Sequence, residues 1–239
     1  MISLERRAGR PLRIGHRGAA LLAPENTIQG FRAAIEVGVD LVEFDVIQRR
    51  DRELVVAHGL ADVGAETPTL EEALRFFAEE APSHGVHVDL KSTGRELDIV
   101  EMVRRFGLVE RAFVTSGYVG TSRTIAALGG ARVGITIPRT VFSISENGRS
   151  APFARSGLHA LRRVTPTLVG PLLRITRATA AVVHHSLVSP ATVRAAHQRG
   201  AAVVAWTVDE PDLLARVAEA GVDAVVTNDP RIFASTLAS

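Results

Sequence analysis

Short apolar runs alternate with helix-patterned segments along almost the whole chain, and this regularity restricts the fold more than any other feature of the sequence. Runs at 12–16, 41–48, 86–90, 112–115, 132–137, 180–184, 202–207 and 224–227 read as strands. Between them, Ile28, Phe31, Ala34 and Ile35 mark one face of a helix over 25–37. Leu70, Ala73, Leu74, Phe77 and Ala81 mark another, behind Thr69 as N-cap with Glu72 as its capping-box partner. Further helices are expected near 96–106, 122–128, 191–199 and 212–220. Eight strands, each followed by a helix, predict an α/β protein of the TIM (β/α)8 barrel class rather than an open doubly wound sheet. The chain of 239 residues reads as a single barrel domain over 1–239 with no large insertion domain.

The second run carries unusual cargo. In LVEFDVIQRRDRELVVAH, residues 41–58, Val42, Phe44 and Val46 alternate with Glu43 and Asp45, so both carboxylates point to one face, one pleat apart. The link at 48–53 is too short for a parallel crossover, so 54–58 should return antiparallel, as an extra β-hairpin arm after strand 2. That return brings His58 opposite Asp45 to within about one residue of register. In a barrel of this class, chemistry sits at the C-terminal ends of the strands. His16, Glu43, Asp45, Asp89, Lys91, Ser116, His184, His185 and Trp206 all fall there.

Composition removes several functions. With no cysteine there is no thiol nucleophile, thiolate metal site or disulfide. A net charge of +2 gives no support to a nucleic-acid partner. No run is long and apolar enough to cross a bilayer, and the first residues lack the pattern of a signal peptide, so a cytoplasmic location is expected. Of the 28 basic residues, Lys91 is the single lysine, which suggests a position that requires an ammonium rather than a guanidinium. Residues 139–177 mix apolar side chains with seven arginines. Two readings stand: a peripheral membrane contact, or an ordinary outer helix and loop, the second favoured.

Glu43, Asp45 and Asp89 at the ends of neighbouring strands form an all-oxygen set suited to a hard divalent cation, Mg²⁺ or Ca²⁺, rather than zinc. The competing account of each is a salt bridge to Arg17 or Lys91. His16 and His58 flank this cluster and read as an acid and base pair, as metal ligands, or as hydrogen-bonded core histidines. With Arg17 and Lys91 to hold an anion, a reactive centre for a phosphodiester fits the set best.

The ordered motifs His16-Arg17-Gly18, Pro24-Glu25-Asn26-Thr27, Glu43-Phe44-Asp45, His58, VDLK at 88–91, WTVD at 206–209 and TNDP at 227–230 resemble those of the glycerophosphodiester phosphodiesterase family of metal-dependent barrel enzymes. The resemblance implies that Glu43, Asp45 and Asp89 bind one divalent cation, that His16 and His58 are general base and acid, and that Arg17 and Lys91 contact phosphate. It also implies that Glu25 and Asn26 support the pocket, that Trp206 walls it, and that the substrate's glycerol hydroxyl attacks phosphorus first to give a cyclic intermediate. The implied substrate is a glycerophosphodiester. Three positions depart from the pattern. Gly59 stands where the family usually has Asp, Asp89 where it commonly has Glu, and only 59–68 separate His58 from the next helix. Asp89 and the short cover keep open phospholipase D-like or lysophospholipase D-like activity on lysophospholipids, and Gly59 keeps open a non-catalytic phospho-ligand-binding barrel.

Overall fold

Parallel pairing passes from strand to strand until the sheet meets itself. The computed structural model describes residues 2–138 and 151–236, with the backbone alone over 151–159 and 235–236. Its strands are β1 (Leu12–Gly15), β2 (Leu41–Gln48), β3 (Leu54–Val55), β4 (Gly85–Leu90), β5 (Ala112–Ser116), β6 (Arg132–Ile137), β7 (Ala180–His184), β8 (Ala202–Trp206) and β9 (Ala224–Thr227). Each barrel strand pairs in parallel with the next, and β1 pairs with both β2 and β9, which closes eight strands into a barrel. β3 stands outside that ring and pairs antiparallel with the end of β2. The helices are α1 (Ile28–Val37), α2 (Leu70–Glu79), α3 (Glu96–Arg105), α4 (Val119–Leu128), α5 (Ala151–Thr176), α6 (Pro190–His197) and α7 (Pro211–Glu219).

Period-two alternation sorts the strands into two cores. Val42, Phe44 and Val46 point outward into a large cluster under the helices, where Phe31 of α1 and Phe77 of α2 lie 5.2 and 5.9 Å from the Phe44 ring. Leu12, Ile14, Leu41, Phe113, Val204 and Val226 point inward and fill the lower barrel, with the fully buried Leu4 of the N-terminal segment packed among them. Above this apolar layer, the same inward register delivers Glu43, Asp45, His87, Asp89 and Thr115, all buried. A barrel packs by alternating large and small side chains, and Gly134 shows why: a Cβ there would lie 2.8 Å from Cζ of Phe113.

Most expected elements fall within about two residues of their observed bounds. The Thr69–Glu72 capping box is present in both directions. Four differences matter. The first helix begins at Ile28, because the Thr27 side chain caps it by accepting from Gly30 N, which leaves Glu25 and Asn26 in a loop over the barrel mouth. The fourth helix starts at Val119, three residues earlier than its periodicity suggests. The returning arm is a ladder of two residue pairs, Ile47 with Val55 and Gln48 with Leu54, and His58 lies beyond it. The last barrel strand is followed by a 3-10 turn, Pro230–Thr236, so among the described residues the eighth helix of the expected alternation is absent.

Within 139–177, residues 139–150 lie outside the described residues. α5 is an outer barrel helix that buries Val169 and Leu173, as the favoured reading of that stretch has it. Among the described residues no helix is long and apolar enough to cross a membrane.

Candidate active site

The first barrel turn is built for close approach. Gly18 has φ +88°, and a Cβ on it would lie 2.5 Å from the carbonyl carbon of Gly30, so only glycine lets this loop lie against α1. Arg17 just before it is also left-handed, at φ 51°. This uncommon conformation aims the Arg17 amide at Glu43 Oε2, 2.8 Å away, and its guanidinium at the cluster beside it. A cavity of about 510 Å³ opens here, lined by His16, Arg17, Glu43, His58, Asp89, Lys91 and Trp206 among others. The sequence-predicted residues therefore converge. Glu25 and Asn26 sit behind them: Glu25 accepts both its contacts from Arg17 Nη1 at 2.9 Å, and Asn26 clasps Asp45.

Glu43, Asp45 and Asp89 each offer an oxygen within 4.8 Å of the others. Burial pushes the Glu43 carboxyl well above its ordinary range, and neighbouring Asp45 adds to the effect. Burial acts the same way on Asp45, but His58, Lys91 and Arg17 outweigh it and hold this carboxyl well below its usual value. Asp89 is also buried, and Lys91 brings it below its ordinary value. The ammonium of Lys91 lies 2.9 Å from Asp45 Oδ1 and 2.6 Å from Asp89 Oδ2, and these anions raise its pKa despite burial. Three carboxyl groups thus face two cations, and the contact of buried Asp45 Oδ1 with Lys91 is one of charge rather than an aligned hydrogen bond. Carboxyl oxygens gathered this closely suit a divalent cation, whose charge would favour the ionised form of Glu43.

The two histidines differ in their partners. His16, at the end of β1, places Nδ1 2.6 Å from Asn228 Oδ1. Asn228 follows β9, and its side-chain Nδ2 donates to Asp209 Oδ2 at 2.8 Å, while Asp209 Oδ1 accepts from the Asn228 amide at 2.7 Å. Because Asp209 accepts, the Asn228 amide is oriented with its oxygen toward His16, and Nδ1 of His16 carries a proton. Burial pushes the His16 pKa down, only partly offset by Asp45, so the ring is neutral with a free lone pair on Nε2. That nitrogen lies 3.9 Å from Glu43 Oε2. It is placed to accept a proton above the carboxylates.

His58 lies across the cluster with its side chain half exposed. Its Nδ1 is 3.2 Å from Asp45 Oδ2, an acceptor, and 2.9 Å from Arg17 Nη2, a donor. One nitrogen satisfies one of these at a time. A ring that donates from Nδ1 to Asp45 keeps Nε2 for another partner.

Of the other strand-end residues, Ser116 is structural: its hydroxyl donates to Leu90 O at 2.9 Å. Trp206 donates to Val182 O at 3.3 Å and stands edge-on to His184, with ring centroids 5.3 Å apart, so His184 supports the wall and lies outside the cavity lining. Sequence reading assigns no task to Asp209, Asn228, His87 or Thr115. A signal exists for the last two, because His87 shares the inward register of Asp89 and Thr115 is its partner on β5.

The chain is similar to known proteins in sequence and in fold. The sequence model of the Glycerophosphoryl diester phosphodiesterase family matches residues 16–80 and 64–232. The glycerophosphodiester phosphodiesterase GDPD4 of Arabidopsis thaliana is 29% identical over 93% of this chain and 72% of its own. A glycerophosphodiester phosphodiesterase of Caldanaerobacter subterraneus is 24% identical over 91% of this chain and 93% of its own. In structure, the putative glycerophosphoryl diester phosphodiesterase of Silicibacter pomeroyi superposes with TM-score 0.75 at 22% identity, over 98% of this chain and 96% of that one. An Oleispira antarctica phosphodiesterase, solved with the product sn-glycerol-3-phosphate, gives TM-score 0.69 at 20% identity over 96% and 98%. At these identities the structural likeness is one of fold.

Proposed function

Because the chain belongs to the glycerophosphoryl diester phosphodiesterase family, we propose that it hydrolyses glycerophosphodiesters to glycerol 3-phosphate and an alcohol, using one divalent cation and the His16–His58 pair. The observation that carries this reading is the opposition of a neutral His16, its Nε2 free, to His58 across a carboxylate cluster flanked by Arg17 and Lys91. The Oleispira relative with its bound product agrees with the substrate class.

Glu43, Asp45 and Asp89 would hold the cation. Bound there, it would neutralise charge on a non-bridging phosphoryl oxygen, the part of the substrate where negative charge builds up. The remaining work belongs to side chains. Arg17 and Lys91 grip the other phosphoryl oxygen and turn the diester so that the glycerol 2-hydroxyl faces phosphorus. His16 Nε2 takes the proton of that hydroxyl as its oxygen bonds to phosphorus. The bond to the leaving alcohol breaks on the opposite side, and His58 donates the proton that the departing oxygen needs. The product of this step is a cyclic glycerol phosphate. In the second step His58, now neutral, takes a proton from water as the water oxygen attacks phosphorus. The ring opens at the 2-oxygen, which recovers its proton from His16. Both histidines end as they began.

The test is a panel of phosphodiesters, glycerophosphocholine, glycerophosphoethanolamine and lysophosphatidylcholine among them, given to protein stripped by chelator and then restored with single divalent ions. Release of glycerol 3-phosphate from the small diesters is the expected result. Cleavage of the lysolipid alone would make the substrate assignment wrong, and no turnover with any ion would favour a ligand-binding barrel.

A further inference from the structure

We propose that Thr115, with His87 behind it, is a positioning residue that commits one oxygen of Asp89 and thereby shapes the carboxylate cluster for a small octahedral cation such as Mg²⁺ or Mn²⁺ rather than Ca²⁺. The proposal rests on the cation-dependent reading above and deepens it.

Asp89 and Thr115 are partners in the β4–β5 ladder, and His87 lies two residues before Asp89 on the same inward face. All three are buried, at 8%, 1% and 2% exposure. Thr115 Oγ1 donates to Asp89 Oδ1 at 2.5 Å and lies 2.9 Å from His87 Nε2. A hydroxyl has one proton, and an ionised carboxylate only accepts, so the threonine proton goes to Asp89. His87 must then be the donor to Thr115, which fixes its proton on Nε2 and leaves Nδ1 bare. Among the described residues Nδ1 has no hydrogen-bond partner, so no acceptor there competes for the ring proton. The chain has a direction: His87 to Thr115 to Asp89. Thr136 adds a long second contact to the same Oδ1, at 3.4 Å.

The consequence for a cation follows from counting oxygens. Glu43 commits Oε2 to the Arg17 amide at 2.8 Å, and Asp45 commits Oδ2 to Asn26 at 3.1 Å. With Oδ1 of Asp89 held by Thr115, one oxygen of each carboxylate is left without a neutral donor, and on Asp45 and Asp89 that oxygen meets the Lys91 ammonium, whose place an ion would take. That ammonium, 2.9 Å from Asp45 Oδ1 and 2.6 Å from Asp89 Oδ2, marks where a positive charge is already held between two of the three carboxylates. Three single-oxygen ligands leave half an octahedron for water and phosphate, an arrangement that suits Mg²⁺. Ca²⁺ prefers six to eight oxygens and commonly takes carboxylates through both. The terminal torsion of an aspartate is soft, and a side chain one methylene shorter than glutamate has little else with which to aim its charge. Without the clamp Asp89 is free to turn both oxygens to the ion, and the preference moves toward Ca²⁺.

The experiment measures Mn²⁺ binding to metal-stripped protein by electron paramagnetic resonance, with Mg²⁺ and Ca²⁺ as competitors. Partners that orient a metal ligand typically change affinity by about 10-fold to 100-fold. Thr115→Val, which keeps the shape and removes the hydroxyl, is expected to bind Mn²⁺ about 10-fold more weakly and to lose a similar factor in its preference for Mg²⁺ over Ca²⁺. Thr115→Ser restores both. His87→Gln, whose amide nitrogen reaches the place of Nε2, retains most of the affinity, whereas His87→Met behaves like Thr115→Val, so the test survives if one variant fails to fold. Folded Thr115→Val or His87→Met with unchanged affinity and ion preference overturns the clamp and leaves the cation site standing. Unaltered protein that binds none of the three ions overturns the cation site, and the clamp with it.

Discussion

Replacing Asn228 by alanine removes the single link between Asp209 and His16. In the intact protein the Asn228 side chain accepts from His16 at 2.6 Å and donates to Asp209 at 2.8 Å. The substitution leaves one donor and one acceptor without their partners. An unpaired buried polar group costs about 1–3 kcal/mol, and Asp209 keeps the Asn228 amide and the Thr227 hydroxyl at 3.1 Å, so the loss of stability should lie near 1 kcal/mol. The effect on catalysis is larger. His16 loses what fixes both its ring orientation and its tautomer, and a ring with the proton on Nε2 cannot act as the base. General base catalysis contributes about 10²–10⁴-fold, and the freed ring still visits the productive state, so kcat should fall about 100-fold, or about 2.7 kcal/mol of barrier. Arg17 and Lys91 are untouched, and KM should stay within about threefold. Steady-state kinetics on glycerophosphocholine, with urea unfolding to show that the variant is folded, makes the measurement. A folded Asn228→Ala enzyme that keeps kcat within about threefold, or loses its efficiency through KM alone, refutes the assignment of Asn228 to His16.

In the ion-free protein, burial holds His87 down at a pKa of about 4, against 6.5 when exposed. Its contribution to stability is therefore complete above pH 6.5 and is lost as pH falls toward 4, because the unfolded chain takes up the proton first. Between pH 7 and pH 5 urea titrations should show about 2 kcal/mol of loss from this residue, absent in His87→Gln. Phe77→Ala opens a hole in the aromatic cluster that backs β2, 5.9 Å from Phe44 and 5.4 Å from Phe31, and should cost about 3–5 kcal/mol by the same titration. Gly134→Ala drives a methyl to 2.8 Å from the Phe113 ring and 2.9 Å from Thr115 Cγ2. It should destabilise the protein by about 1–3 kcal/mol and weaken Mn²⁺ binding through the displaced Thr115, read by calorimetry and by the same resonance titration.

Much of this architecture is legible in the residues because two periods govern it. Alternation of Val42, Phe44 and Val46 with Glu43 and Asp45 fixes which side chains face helices and which face the barrel axis, and the observed burial follows that pattern. Strand ends then place His16, Asp89 and Trp206 at one mouth without further information. What periodicity does not carry is direction beyond the strand. The arm from β3 to His58 is held by two ladder pairs and a bridge from Val55 to Thr69, and His58 reaches Asp45 through a contact of 3.2 Å across the site. The His16–Asn228–Asp209 chain joins residues 212 and 19 positions apart, and no local pattern announces such a contact. Lys91 is legible as the lone ammonium, but its seat between Asp45 and Asp89 comes from the parallel pairing of β2 with β4 across the hairpin arm.

The central claim is that this site opens glycerophosphodiesters with His16 as base and His58 as acid over a divalent cation. Phosphorus nuclear magnetic resonance of glycerophosphocholine, with the purified protein added, tests it most directly. The diester signal should give way to glycerol 3-phosphate, chelator should stop the conversion and Mg²⁺ restore it, and His16→Ala and His58→Ala should each leave the diester unchanged over the same period. Conversion at the unaltered rate by either histidine variant, or in the presence of chelator, would contradict it.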